Sequence, residues 1–207
     1  SNRRSEPMTT ALRPAAGGRI GPNAVLQLVP VLRDEAGEAV TARLLARAGV
    51  PELPDPEAGL MEEAPAARLH QVLRAELPEA APRLARVAGL ATGDYILAHR
   101  IPKKAQALLR LMPARLSAPI LARAVAKNAW TFCGSGAFRL VATWPVVFEI
   151  ADNPVVRGER SETPLCHWHA AVFERLFTQL CGRDWRCTEV ACCAQGAPAC
   201  RFELTRD

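Results

Sequence analysis

An α+β fold is what the sequence predicts, with helices first, then a four-stranded antiparallel sheet, one long helix and a metal-clamped C-terminal hairpin. Three observations lead there. From Pro22 to about Lys127 the chain is rich in Ala, Leu, Arg and Glu, and is punctuated by prolines including those at 51, 54, 56, 65, 78, 82, 102, 113 and 119. That is the pattern of helices with proline near their starts or in the turns between them. After Asn128 short β-branched and aromatic runs take over, and six of the seven cysteines crowd between Cys166 and Cys200.

Each element has its own warrant. Gly21-Pro22-Asn23 opens the first helix, where Val25, Leu26, Val29 and Leu32 recur at helical spacing, and Gly49-Val50-Pro51 closes a second stretch. Phe138 to Ala142 and Val146 to Ile150 read as two strands separated by Trp144-Pro145, and Asn153-Pro154 with Gly158 marks a loop. Thr163 to Leu180 carries a helical pattern, with Thr163 as N-cap, Pro164 at the first position and Gly182 just past the end. Trp185 to Ala191 and Arg201 to Leu204 read as two more strands around the Gln195-Gly196-Ala197-Pro198 turn. The expected organisation is a tag remnant and loose arm over 1–21, a helical region over 22–127 and a small-molecule-binding region over 128–207. Met8 is a plausible native start.

At 207 residues, with 49% apolar residues, the chain can build a core without disulfides. The odd cysteine count and the crowding of thiols point to a reducing cytoplasm, and to metal before disulfide. No apolar run approaches the roughly 18 to 20 residues of a membrane span, so any membrane contact would be peripheral. Charge is unevenly placed. From Tyr95 to Phe148 there is no acid, while Arg100, Lys103, Lys104, Arg110, Arg115, Arg123, Lys127 and Arg139 are basic. Such a band suits a headgroup surface, an acidic partner or the carboxylates of a ligand, although spaced single charges usually only solvate a helix face. Nucleic acid is not expected, for there is neither zinc-finger spacing, an RNP-like aromatic motif nor a dense basic run.

Cys166, Glu189, Cys192 and Cys200 are spaced so that one folded unit can close them around a single ion, because a structural site takes four soft or borderline ligands in a tetrahedron. The alternative is a set of buried free thiols packed as small hydrophobes. Residues three apart on a regular strand face opposite ways, so Glu189 and Cys192 require a bulge, and Cys193 is the rival if none forms.

The Pro164-Leu165-Cys166 helix start, the Glu189-Val190-Ala191-Cys192 step and the ending Gly196-Ala197-Pro198-Ala199-Cys200-Arg201-Phe202 together resemble the 4-vinyl-reductase domain, a small-molecule-binding module. That domain also serves as the sensor part of aromatic-responsive regulators, and its fold is similar to subunits of vesicle-tethering complexes. The resemblance covers about Asn128 to Leu204. It implies structural zinc on Cys166, Glu189, Cys192 and Cys200. The whole chain, including Gly18-Arg19-Ile20-Gly21-Pro22-Asn23, further resembles the 4-vinyl reductase family of bacteriochlorophyll biosynthesis.

Reduction of a vinyl group needs a hydride or electron donor held against the ring. Gly134-Ser135-Gly136 lacks the third glycine of a dinucleotide fingerprint and precedes a strand. Assigning three cysteines to zinc leaves Cys133, Cys181, Cys187 and Cys193, whose spacing is not that of an iron–sulfur site. The expectation is therefore of a tetrapyrrole-binding accessory or carrier protein more than of an enzyme. It would hold a Mg-porphyrin or protochlorophyllide-type intermediate and deliver it to a Mg-chelatase or methyltransferase, acting as a homodimer. A vinyl reductase supplied with electrons by another subunit, and a free-standing small-molecule sensor, are the alternatives. Trp130, Phe132, Phe138, Trp144, Phe148, Trp168 and Phe173 are the expected aromatic wall, with Phe138, Trp144 and Phe148 foremost; each taken singly also reads as core. His167 or His169, with His99 behind them, would offer a nitrogen to the magnesium, and Arg157, Arg160 and the basic band would pair with propionates.

Overall fold

The computed structural model describes residues 18–206, so the expected tag remnant and most of the arm lie outside it. Arg19–Ile20 (β1), within the stretch set aside as an arm, pairs antiparallel with Met61–Glu62 (β2), a two-stranded ribbon that the residue pattern did not reveal. Between them run α1 (Asn23–Leu26), α2 (Leu28–Ala36) and α3 (Glu38–Ala48), the last ended by Gly49 in the left-handed conformation that glycine adopts freely. Then come α4 (Glu63–Glu76), α5 (Ala81–His99), α6 (Lys103–Leu111) and α7 (Ala114–Lys127).

The second half is the expected antiparallel sheet with its long helix. Its strands are β3 (Ala137–Thr143), β4 (Val146–Ala151), β5 (Trp185–Ala191) and β6 (Ala199–Arg206), in the order β3-β4-β6-β5. Helix α8 (His167–Leu180) lies on one face. On β5 the residues Trp185, Cys187 and Glu189 face inward while Arg186, Thr188 and Val190 face water, the period of two that one covered face requires. Phe148 and Phe202 are direct cross-strand partners, and Phe173 of α8 sits over both, its ring 5.0 Å and 5.4 Å from theirs.

Helix α8 begins at His167, three residues later than the Thr163 cap predicts. Ser161 instead turns the chain, its Oγ accepting the Thr163 N–H, and the Cys166 N–H is taken by a glutamate from across the sheet. On the side of α8 away from the sheet lies α5. The two helices are so close that a β-carbon on Gly89 would stand 2.4 Å from the Trp168 carbonyl oxygen, and one on Gly93 2.7 Å from Arg175 Cβ. Ion pairs Arg86–Glu174 and Arg175–Asp94 border this contact. The layers are thus the sheet, α8, and then α5 with the N-terminal helices. Among the described residues no helix is long and apolar enough to cross a membrane.

Candidate metal centre and ligand cavity

Four donors converge where α8 meets the closing hairpin. Cys166 precedes α8, Glu189 is on β5, Cys192 follows that strand, and Cys200 is on β6 opposite Ile150 of β4. Their ligand atoms lie within 4.8 Å of one another. The register of β5 against β6 slips between Glu189 and Ala191, the bulge that brings Glu189 and Cys192 to the same side. Cys193 points away, with its sulfur 3.8 Å from the Ile150 carbonyl oxygen, so it is not part of the group.

The geometry suits one tetrahedral ion. Cys166 Sγ stands 3.5 Å from Cys200 Sγ, which stands 3.8 Å from Cys192 Sγ. A tetrahedral ion with metal–sulfur bonds of about 2.3 Å sets its sulfurs about 3.8 Å apart. One carboxylate oxygen of Glu189 accepts the Cys166 N–H at 2.7 Å, while Oε1 is buried without a partner, a costly arrangement unless a cation meets it. Burial, then the neighbouring Cys192, pushes the Glu189 carboxyl up to about 8, and burial with the contacts to Cys192 and Cys200 pushes the Cys166 thiol well up. Outer contacts orient the sulfurs: Asn153 Nδ2 is 3.4 Å from Cys166 Sγ, and the Cys193 N–H donates to Cys200 Sγ at 3.3 Å. Cys166, Cys192 and Cys200 are each at most 1% exposed, so the site is closed. The cluster can therefore hold a metal ion.

A separate cavity of about 420 Å³ opens on the other side of α8. Trp168, His169, Val172, Phe173 and Leu176 line it from that helix, Thr92 and Ile96 from α5, and Arg100 from just past the end of α5. Helix α7 contributes Leu121 and Val125; the turn after it adds Trp130 and Phe132, and the entry to α1 closes the remaining side. Trp168 is fixed by its indole N–H, which donates to Thr92 Oγ1 at 3.1 Å. His169 Nε2 lies 3.3 Å from the Phe132 carbonyl oxygen, and burial holds the imidazole down to about 4, so it is neutral at ordinary pH.

Of the residues expected to line a pocket, Trp130, Phe132, Trp168, His169 and Phe173 meet here. Phe148 does not, being wholly buried between α8 and the sheet, and Phe138 packs against Phe132, Phe148 and Phe173. Trp144 is 42% exposed at the tip of the β3–β4 hairpin, edge-on to Trp185. His167 faces away, beside Leu73, Arg74 and Leu165, and His99 is exposed against Tyr95. Arg157 is engaged with Asp152, Ser135 and Glu63, which leaves Arg100 as the basic residue on the cavity wall. The Gly134-Ser135-Gly136 turn is likewise filled, by the Glu63 carboxylate that accepts the Ser135 N–H and hydroxyl. Val172 and Leu176, which the sequence reading passed over, extend Trp168 at i+4 and i+8, a signal the 3.6-residue period contained.

Comparison with known proteins agrees with this architecture. The V4R domain family matches residues 146–206, which include all four donors of the metal cluster. The bacteriochlorophyll synthase 23 kDa chain of Cereibacter sphaeroides is 61% identical over 92% of this chain and 92% of its own. This chain belongs to the bacteriochlorophyll synthase 23 kDa chain family. The relative in Rhodobacter capsulatus, of the same name, is 47% identical over 90% of this chain and 86% of its own length. The fold of this family member is shared with an Fe(II) unliganded H-NOX protein from K. algicida, at a TM-score of 0.56 with 10% identity, over 91% of this chain and 97% of that one. A variant of that protein superposes with a TM-score of 0.54.

Proposed function

We propose that this protein acts in bacteriochlorophyll biosynthesis by binding a tetrapyrrole intermediate in the α5–α7–α8 cavity and delivering it to a partner enzyme, with zinc in the cysteine–glutamate cluster as a structural clamp. The carrying observation is the cavity itself: its volume lies in the range of ligand pockets, roughly 300 to 1,000 Å³, and Trp130, Phe132, Trp168 and Phe173 give it the aromatic walls that suit a flat macrocycle. The relatives are named as chains of bacteriochlorophyll synthase, which supports a place in that pathway and a partner within it. His169 is neutral, and turning its ring off the Phe132 carbonyl would present a nitrogen to a central magnesium. Arg100 would pair with a propionate. The clamp holds the α8 start against the β5–β6 hairpin, so the wall that α8 presents to the cavity is fixed from behind. Three thiolates and one carboxylate fill a tetrahedral ion's coordination, which assigns the metal to folding and not to chemistry.

Titration of the purified protein with Mg-protoporphyrin should shift the Soret band and quench tryptophan fluorescence saturably at micromolar ligand. His169→Ala should weaken binding about tenfold or more, equivalent to about 1.4 kcal/mol. Absence of any saturable change overturns the carrier reading. Turnover of a divinyl substrate by the isolated chain, given reductant, would replace it with the reductase.

A further inference from the structure

We propose that the α6–α7 corner, with the tip of the β3–β4 hairpin, docks the protein on the surface of an anionic lipid bilayer. The corner exposes large apolar side chains where a water-facing pair of helices would carry polar ones. Leu108 is 61% exposed, Leu111 84%, Leu116 58% and Ile120 48%. These four flank the Met112-Pro113 joint, two near the end of α6 and two early in α7, so they form one outward group and not scattered single residues. Trp144 extends the patch: the Arg115 guanidinium lies 5.3 Å from its ring centre, which joins the hairpin tip to the start of α7. An indole with one side wet and one apolar is the side chain that settles at a headgroup boundary.

Charge selects the occupant. Lys103, Lys104, Arg110, Arg115, Arg123 and Lys127 lie on these two helices or at their joint, and between Asp94 and Glu149 the sequence has no acid. Among the described residues none of the six has a carboxylate partner, whereas most other arginines of the chain do, as in Arg74–Glu159 and Arg201–Glu149. Cations of one sign around exposed leucine and tryptophan are the make-up of an interfacial surface, in which each cation near anionic headgroups adds to the attraction. A protein partner is the poorer fit, because protein interfaces are depleted in lysine and mix their charges. Helix α7 turns Leu116 and Ile120 outward while Leu121 and Val125 wall the cavity, so docking would place the cavity beside the bilayer.

Co-sedimentation with lipid vesicles tests this without any tetrapyrrole, so its outcome is independent of the carrier reading. The intact chain should pellet with phosphatidylcholine vesicles containing phosphatidylglycerol, and about tenfold less with phosphatidylcholine alone. Raising the salt several-fold should release it, and a blue shift of tryptophan emission that is lost in Trp144→Ala should accompany binding. Leu108→Ser combined with Leu111→Ser should reduce binding about tenfold while circular dichroism is unchanged. Equal binding to both vesicles, no binding to either, or full binding by the double variant overturns the proposal. A concentration-dependent dimer abolished by the same variant, with no vesicle binding, assigns the face to a second copy instead.

Discussion

At His70 the fold holds an imidazole neutral in its interior. Its Nε2 donates to the Ala24 carbonyl oxygen at 3.0 Å, and Nδ1 is buried without a partner. Burial, then the charge of Arg74, holds it down to about 3. The native value lies below the ordinary 6.5, so between them the unfolded chain binds more protons and stability falls as pH drops. At pH 5 the single residue should remove about 2 kcal/mol, from 1.36 kcal/mol per unit. Burial depresses His169 similarly, to about 4. Urea unfolding at pH 7.5 and pH 5 should therefore show His70→Gln relieving about half of the acid loss that these two residues cause. Comparing variant with parent cancels any contribution from metal release, and equal slopes would sink the assignment. No sequence signal marks His70, because a lone histidine on a helix does not disclose which neighbour buries it.

At the scale of elements, the closest contact is between α5 and α8. Gly89 and Gly93 are one helical turn apart and lie against the Trp168 carbonyl, Ala171 and Arg175. Glycine in a helix interior costs about 1 kcal/mol relative to alanine, so Gly89→Ala in isolation should stabilise. Here the new carbon meets a backbone oxygen, which cannot rotate away, and overpacking of about 1–3 kcal/mol outweighs the gain. We expect Gly89→Ala to lower the melting temperature by several degrees in a scanning calorimeter; an unchanged or higher value would show that the helices have room. The four strands of the larger sheet were legible in the sequence to within a residue or two because alternation and β-branching are local. The start of α8 was not, since Cys166 gives its N–H to Glu189, a residue 23 positions away.

For the molecule as a whole, the proposed zinc clamp joins the start of α8 to β5, an edge strand of the sheet, and to β6 beside it. Removing one ligand leaves buried thiols and a carboxylate without their cation, and a structural site of this kind contributes to folding directly. Cys200→Ser should lose the bound metal, found as about one zinc per chain by elemental analysis of the parent, and should lose at least about 3 kcal/mol of stability. A chelator should act in the same direction on the parent and leave the variant unchanged. A parent that is metal-free and equally stable would refute the clamp. The cavity depends on the same frame, since its α8 wall is held by the metal site at one end and by the Phe148–Phe173–Phe202 stack along its length.

By itself the sequence determined the α+β order and the positions of the four sheet strands, and it named Cys166, Glu189 and Cys200 with either Cys192 or Cys193 as candidate donors, because period, β-branching and ligand chemistry belong to the residues themselves; the bulge after Glu189 decided between the two cysteines. It also carried the acid-free basic band. Tertiary structure alone decided which aromatic residues wall the cavity and which fill the core. Trp168 and Phe173 line the cavity whereas Phe148 lies beneath α8, and His169 turns inward whereas His167 turns out. The physical reason is that helical and strand periods fix which residues share a face, whereas the partner that each face meets is set by how distant elements pack.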